Sequence, residues 1–130
     1  MPASSPSHRQ SHSRIASFQH AFSGLGYVLR TQRNSWIHST ATVCVIALGL
    51  WLGLSLIQWA ILALTIGLVW TAEFVNTALE AVVDLASPDI HPLAKVGKDV
   101  GAAAVLAAAV TSVVVGLLIL GPAVWAKLFS

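Results

Sequence analysis

All five acidic residues of this chain, Glu73, Glu80, Asp84, Asp89 and Asp99, lie between positions 73 and 99. Three of them fall in the stretch "TAEFVNTALEAVVD", Thr71 to Asp84, together with Asn76 and Thr77. At 100° per residue, with Glu73 at zero, Asn76 lies at about −60°, Thr77 at about +40°, Glu80 at about −20° and Asp84 at about +20°. One helix face therefore carries Glu73, Asn76, Thr77, Glu80 and Asp84, while Phe74, Val75, Leu79, Val82 and Val83 point elsewhere. Three chemistries suit such a wedge. Carboxylate oxygens bind a hard divalent cation such as Mg²⁺. A glutamate desolvated by its site takes a proton as a general base. A polar face in an apolar helix can also line a cation or proton path. A fourth reading is structural, in which Asn76 and the carboxylates hydrogen-bond neighbouring helices together. The upstream half of the segment, "WAILALTIGLVW", offers only Thr65 as a polar side chain, so the wedge makes a one-sided site rather than a trans-bilayer stripe.

Lys98 and Asp99 follow the wedge and open the next apolar segment. A lysine beside an acidic, metal-binding patch suits a nucleoside triphosphate. The bland counterpart is an interfacial lysine with its head in water and a weak ion pair. No G-x-x-x-x-G-K-[ST] loop is present, "VGKDVG" is not one, and no Gly-rich protein-kinase loop occurs. Any nucleotide chemistry here uses an unconventional site.

The elements that must carry these groups are set by composition. Of 130 residues 56% are hydrophobic and only 9% charged, with a mean hydropathy of +0.79. A soluble domain carries about 25% charged residues. Runs from Ser39 to Ile57 and from Gly101 to Trp125 contain no charge, and the run from Trp59 to Val83 is interrupted only by Glu73 and Glu80. Each is close to the ~20 residues of a spanning helix. The expectation is an all-α integral membrane protein with transmembrane helices over about 36–57, 59–84 and 95–125. Arg9, Arg14, Arg30, Arg33, Lys95 and Lys98 then fall on one side and Lys127 on the other, which places the N-terminus and the 85–98 loop in the cytoplasm.

Ahead of the first span, Ile15, Phe18, Phe22, Leu25 and Leu29 recur at helical spacing, which predicts an amphipathic surface helix over about 14–34. Met1 to Ser13 is rich in Ser, Pro and His and is expected to be a disordered tail before a 14–130 domain. "SPDIHPLAK" reads as a turn. Trp36, Trp59 and Trp125 mark the ends of spans, whereas Trp51 and Trp70 are expected to be packing residues, as is Cys44. Small residues at Gly97, Gly101, Ala104, Ala108 and Gly116 allow close helix approach in lipid and point to a homo-oligomer.

"EFVNTALEAVVD", Glu73 to Asp84, matches at every specified position the signature E-x-[LIVM]-N-[ST]-[SA]-[LIV]-E-x-x-V-D of the small prokaryotic diacylglycerol kinase family. "SPDIHPLAKVGKDVGAAAVL" and the lead "SFQHAFSGLGYVL" also resemble that family, over about Ser17 to Leu120, and look closer to its undecaprenol kinase branch. The resemblance implies a homotrimeric lipid kinase of the bacterial inner membrane. Each subunit would have a surface helix and three spans, and would pass the γ-phosphate of Mg-ATP to diacylglycerol or undecaprenol. Nucleic acid has no part in this. By matching position, Glu73 is implied as general base with Asn76 positioning the reactants, and Glu80 as a Mg²⁺ ligand. His20, Asp84, Asp89, His91, Lys98 and Asp99 are implied at the nucleotide, and Arg14, Phe18 and Ala102 at the lipid.

Departures from the pattern bear on this reading. Gln32 stands where the family has a second metal-binding glutamate, so a neutral carbonyl oxygen replaces a charge. This implies weaker Mg²⁺ binding, a single ion, or a catalytically impaired member serving as a membrane or lipid-binding subunit. Ser13 stands where the family has an arginine, with Arg14 adjacent, and Ala102 replaces a serine. Outside the family, the competing expectation is a small oligomeric cation or proton conductor.

Overall fold

Hydrocarbon offers no partner for a peptide group, so an apolar chain of this kind satisfies its backbone inside helices. The computed structural model describes residues 14–87, 89 and 91–129. They form four helices: α1 (Arg14–Thr31), α2 (Arg33–Leu52), α3 (Leu56–Ala86) and α4 (Pro92–Phe129). The last three are long and apolar enough to cross a membrane. The expected tail, residues 1–13, lies outside the described residues.

The joints sit a few residues from where the sequence places them, for local reasons. α1 ends at Thr31 rather than near 34 because Gln32 turns extended, with φ −95° and ψ 115°. Ser35 locks that joint, its hydroxyl bonding the carbonyls of Gln32 at 2.6 Å and Val28 at 3.2 Å. α2 stops at Gly53, whose φ of 70° is the left-handed conformation that ends helices. Ser55 and Gln58 then form a reciprocal capping box that starts α3. "PLAK" is likewise helix, not turn. Proline at the first helical position loses no hydrogen bond. The carbonyl of His91 accepts from Lys95 N–H at 3.2 Å, and its Nδ1 accepts from Leu93 N–H at 3.2 Å.

α3 and α4 make the dominant helix pair, with α2 and α1 laid more lightly against them. The interior is polar where a soluble core would be apolar. Glu73 and Ser35 are the largest fully enclosed side chains, and Thr65, Asn76 and Thr77 are buried with them. Leu62, Val69, Val105 and Ala108 complete the seam between α3 and α4. Most Leu, Ile and Val side chains on the outside of the bundle are exposed, the arrangement lipid requires. Two residues expected inside are outside: Trp51 is half exposed and Cys44 lies on the open face of α2. α2 has too few neighbours within one chain to cover them.

The apolar stripe of α1 is not its buried face. Val28 is the buried residue, pressed into the joint with α2, while Ile15, Phe18 and Phe22 remain exposed. Phe18, Phe22 and Leu25 instead form one wall of an apolar cleft of about 740 Å³, whose other wall is Trp70, Phe74, Thr77 and Ala78 of α3.

Candidate active site

The polar wedge of α3 forms as its spacing requires. Leu62, Thr65, Val69, Glu73, Asn76 and Thr77 are the buried residues of the helix and follow one stripe facing the bundle. Glu73 is 1% exposed. Its Oε2 has no hydrogen-bond partner, although His38 Nε2 of α2 stands 3.8 Å away. Thr77 donates its hydroxyl to the Glu73 carbonyl at 2.9 Å, which holds the helix rather than the carboxylate. Towards the opposite end of α3 the stripe continues only through Thr65, whose hydroxyl is spent on the Ile61 carbonyl. No polar path extends across the helix from Glu73.

Two turns beyond Glu73, Glu80 collects two amides. Asn76 Nδ2 donates to Oε1 at 3.0 Å, and Gln32 Nε2, from the α1–α2 joint, donates to Oε2 at 3.2 Å. The resemblance implies that position 32 sits beside Glu80, and the fold brings it there. Asn76 Oδ1 is buried without a partner and lies against the Cα of Gly101 on α4, where a Cβ would collide with it. That glycine admits the amide between α3 and α4.

Whether this set suits Mg²⁺ follows from its donors. Among the described residues no three His, Cys, Asp or Glu side chains are near enough to share an ion. Mg²⁺, however, keeps most of its water and is commonly held by one or two carboxylates plus substrate phosphates. Glu80 supplies one such carboxylate; Gln32 and Asn76 present their amide nitrogens to it and would turn over to offer oxygens to an ion, and Asn76 Oδ1 has no partner where it stands. The residues fit an ion that arrives with a nucleotide, not a resident one.

A separate groove of about 350 Å³ opens beyond the wedge, between the end of α3 and the start of α4. Asp84, Asp89, His91, Lys95, Lys98 and Asp99 line it. Lys98 Nζ donates to Asp84 Oδ1 at 2.7 Å, and Lys95 pairs with Asp99 one turn along α4. Five of the residues expected at a nucleotide thus share one groove. Others are not gathered: His20 and Arg14 lie on exposed positions of α1, and Ala102 on an exposed face of α4. Phe18 lines the apolar cleft.

Sequence reading passed over His38, Gly101 as a neighbour of Asn76, and Lys95 as the partner of Asp99. Lys95 and Asp99 are four residues apart, a visible helical pair once the helix is known to start at Pro92. His38 carried a signal too, as an ionisable residue one position ahead of an apolar run.

The sequence pattern of the prokaryotic diacylglycerol kinase family matches residues 19–120, which includes the whole wedge, the joint at Gln32 and the groove. The chain belongs to the prokaryotic diacylglycerol kinase family. It is a multi-pass membrane lipid kinase, with ATP the phosphate donor such a kinase requires. It is similar to the undecaprenol kinase of Bacillus subtilis, with 43% identity over 119 residues covering 91% of this chain and 97% of the relative. A diacylglycerol kinase of Synechocystis sp. is 47% identical over 83% of this chain, a match spanning 62% of that longer protein. The diacylglycerol kinase of Escherichia coli K12 is 30% identical over 79% of this chain and 90% of its own length.

Proposed function

We propose that this member of the diacylglycerol kinase family transfers the γ-phosphoryl group of Mg-ATP to the hydroxyl of diacylglycerol or undecaprenol at the cytoplasmic face of the bacterial inner membrane. The observation that carries this reading is the position of Glu73. It is a buried carboxylate with a free oxygen, beside the Glu80, Asn76 and Gln32 cluster, on a helix whose neighbouring face lines an apolar cleft.

In this mechanism the cleft between α1 and α3 takes the lipid chain, and its Phe18, Phe22, Leu25, Trp70 and Phe74 walls exclude water. The amphipathic α1 lies along the interface, so the lipid hydroxyl stays near headgroup depth. Glu73 accepts the hydroxyl proton as the oxygen bonds to the γ-phosphorus, and the bond to the bridging oxygen of the leaving ADP breaks. Asn76 fixes the side chain of Glu80, and Glu80, with the Gln32 amide turned over to offer its oxygen, would hold the ion that the nucleotide brings. Bound Mg²⁺ would neutralise charge on the phosphates. Lys98, Asp99, Asp84, Asp89 and His91 hold the nucleotide in the groove, Lys98 exchanging its carboxylate partner for phosphate. Positioning and charge neutralisation supply most of the rate in such a transfer.

The reading includes a cytoplasmic N-terminus, because Arg14, Arg30, Arg33, Lys95 and Lys98 border one side of the spans and Lys127 the other. It also includes a homotrimer. Support comes from the open apolar faces of α2 and α4, with Val43, Ile46, Leu106, Val110 and Val113 exposed in the single chain. The test is phosphate transfer from labelled Mg-ATP in mixed micelles, with diacylglycerol and undecaprenol offered side by side. A labelled lipid with either acceptor is the expected outcome; label in neither contradicts the reading.

A further inference from the structure

His38 is an ionisable residue in α2 that takes no part in the transfer as described. Its ring is only 13% exposed, and Nε2 is shut off from solvent with no hydrogen-bond partner. The atom it faces, Glu73 Oε2 at 3.8 Å, is equally buried and equally unpaired. Buried polar atoms are normally satisfied, and leaving one unpaired is costly. Here a buried donor and a buried acceptor point at one another across a gap that closes with a movement of about 1 Å.

The helices that carry the pair are tied together beside it. Thr42, one turn along α2, donates its hydroxyl to the His38 carbonyl at 2.7 Å. The Thr42 hydroxyl oxygen in turn accepts from Trp70 Nε1 at 3.3 Å, and the Trp70 ring stands edge-on to His38 with centroids 6.4 Å apart. Trp70 lies three residues before Glu73 on α3, so one clamp fixes both partners on rigid helices. Like Glu73, His38 does not line the cleft between α1 and α3. It borders a smaller cavity of about 190 Å³ between α2, α3 and α4, along with Thr42 and Ser112.

We propose that His38 is the positioning residue of the base. In the assembled site, His38 donates Nε2–H to Glu73 Oε2, which turns Oε1 towards the acceptor hydroxyl. The proton taken from the lipid goes to Glu73, and His38 contributes orientation. This rests on the reading of Glu73 as general base.

Kinetics of His38→Leu, His38→Gln, Glu73→Gln and the double variant His38→Leu/Glu73→Gln test it, with His38→Ala standing in if the leucine variant does not fold. Loss of the donor should lower kcat roughly tenfold to a hundredfold, the range for a charge-assisted bond. KM for ATP and for lipid should move by less than about twofold, since neither substrate touches the ring. Glutamine carries an amide donor at similar reach and should restore most of the rate. In the Glu73→Gln background the leucine substitution should add no further loss. Wild-type kcat in His38→Leu, equal impairment by Gln and Leu, or an additive double variant overturns the proposal while leaving Glu73 as base. Full activity of Glu73→Gln removes the base reading and this one with it.

Discussion

Gln32 Nε2 reaches Glu80 Oε2 at 3.2 Å across a sequence separation of 48 residues, tying the α1–α2 joint to the wedge of α3. A second glutamate there would set two carboxylates face to face, a pair that is unfavourable without a cation. The amide instead neutralises nothing but satisfies Glu80 when no ion is present. Gln32→Glu should therefore lower the Mg²⁺ concentration giving half-maximal activity. Its unfolding temperature in detergent should also become Mg²⁺-dependent, because an ion bound only by the folded state stabilises it. An unchanged requirement would place position 32 outside the metal shell.

Asn76 enters the α3–α4 seam only because Gly101 has no side chain. Gly101→Ala should push the amide off Glu80 and cost about 1–3 kcal/mol, the usual range for overpacking. Gly97, one turn earlier on α4, has only Val83 Cγ2 at an ordinary 3.7 Å from where a Cβ would sit. Gly97→Ala should stay within about 0.5 kcal/mol of wild type. Thermal unfolding of both variants, with kcat measured alongside, distinguishes a specific clash from general sensitivity of the helix.

Lys98 is exposed and paired with Asp84. An exposed pair contributes little to folding, so Lys98→Met should leave the unfolding temperature nearly unchanged. If the lysine serves the nucleotide, KM for ATP should rise roughly tenfold, as expected for one lost phosphate contact. A normal KM would reduce Lys98 to its ion pair.

The cleft behind Phe18 and Phe22 has its own signature. Ala78 lies on its α3 wall, away from the seam with α4. Ala78→Phe should fill part of the space and raise KM for the lipid several-fold, with KM for ATP held. Equal changes in both constants would point to a shifted α3 rather than an occupied cleft.

The wedge was legible in the sequence because a 3.6-residue repeat gathers Glu73, Asn76, Thr77 and Glu80 on one face, and because lipid makes such residues expensive. The three spans were legible for the same reason. Contacts between distant segments were not. Nothing near Gln32 points to Glu80, and only the family resemblance placed it there. His38 escaped because the apolar run was counted from Ser39, one residue too late to include it. The stripe of α1 did not show what its apolar residues meet. Val28, off that stripe, is the residue of α1 buried in the fold, at the joint with α2. "PLAK" misled because two prolines suggest a turn, whereas one of them begins a helix.

Glu73 as the general base is the centre of this mechanism, and the direct measurement is transfer of labelled phosphate by wild type and Glu73→Gln, both folded and saturated with Mg-ATP and lipid. The amide keeps the size of the side chain and removes its capacity to take the proton. The rate should fall by at least about a hundredfold, the lower bound for loss of a general base. Turnover of Glu73→Gln at the wild-type rate would contradict the mechanism.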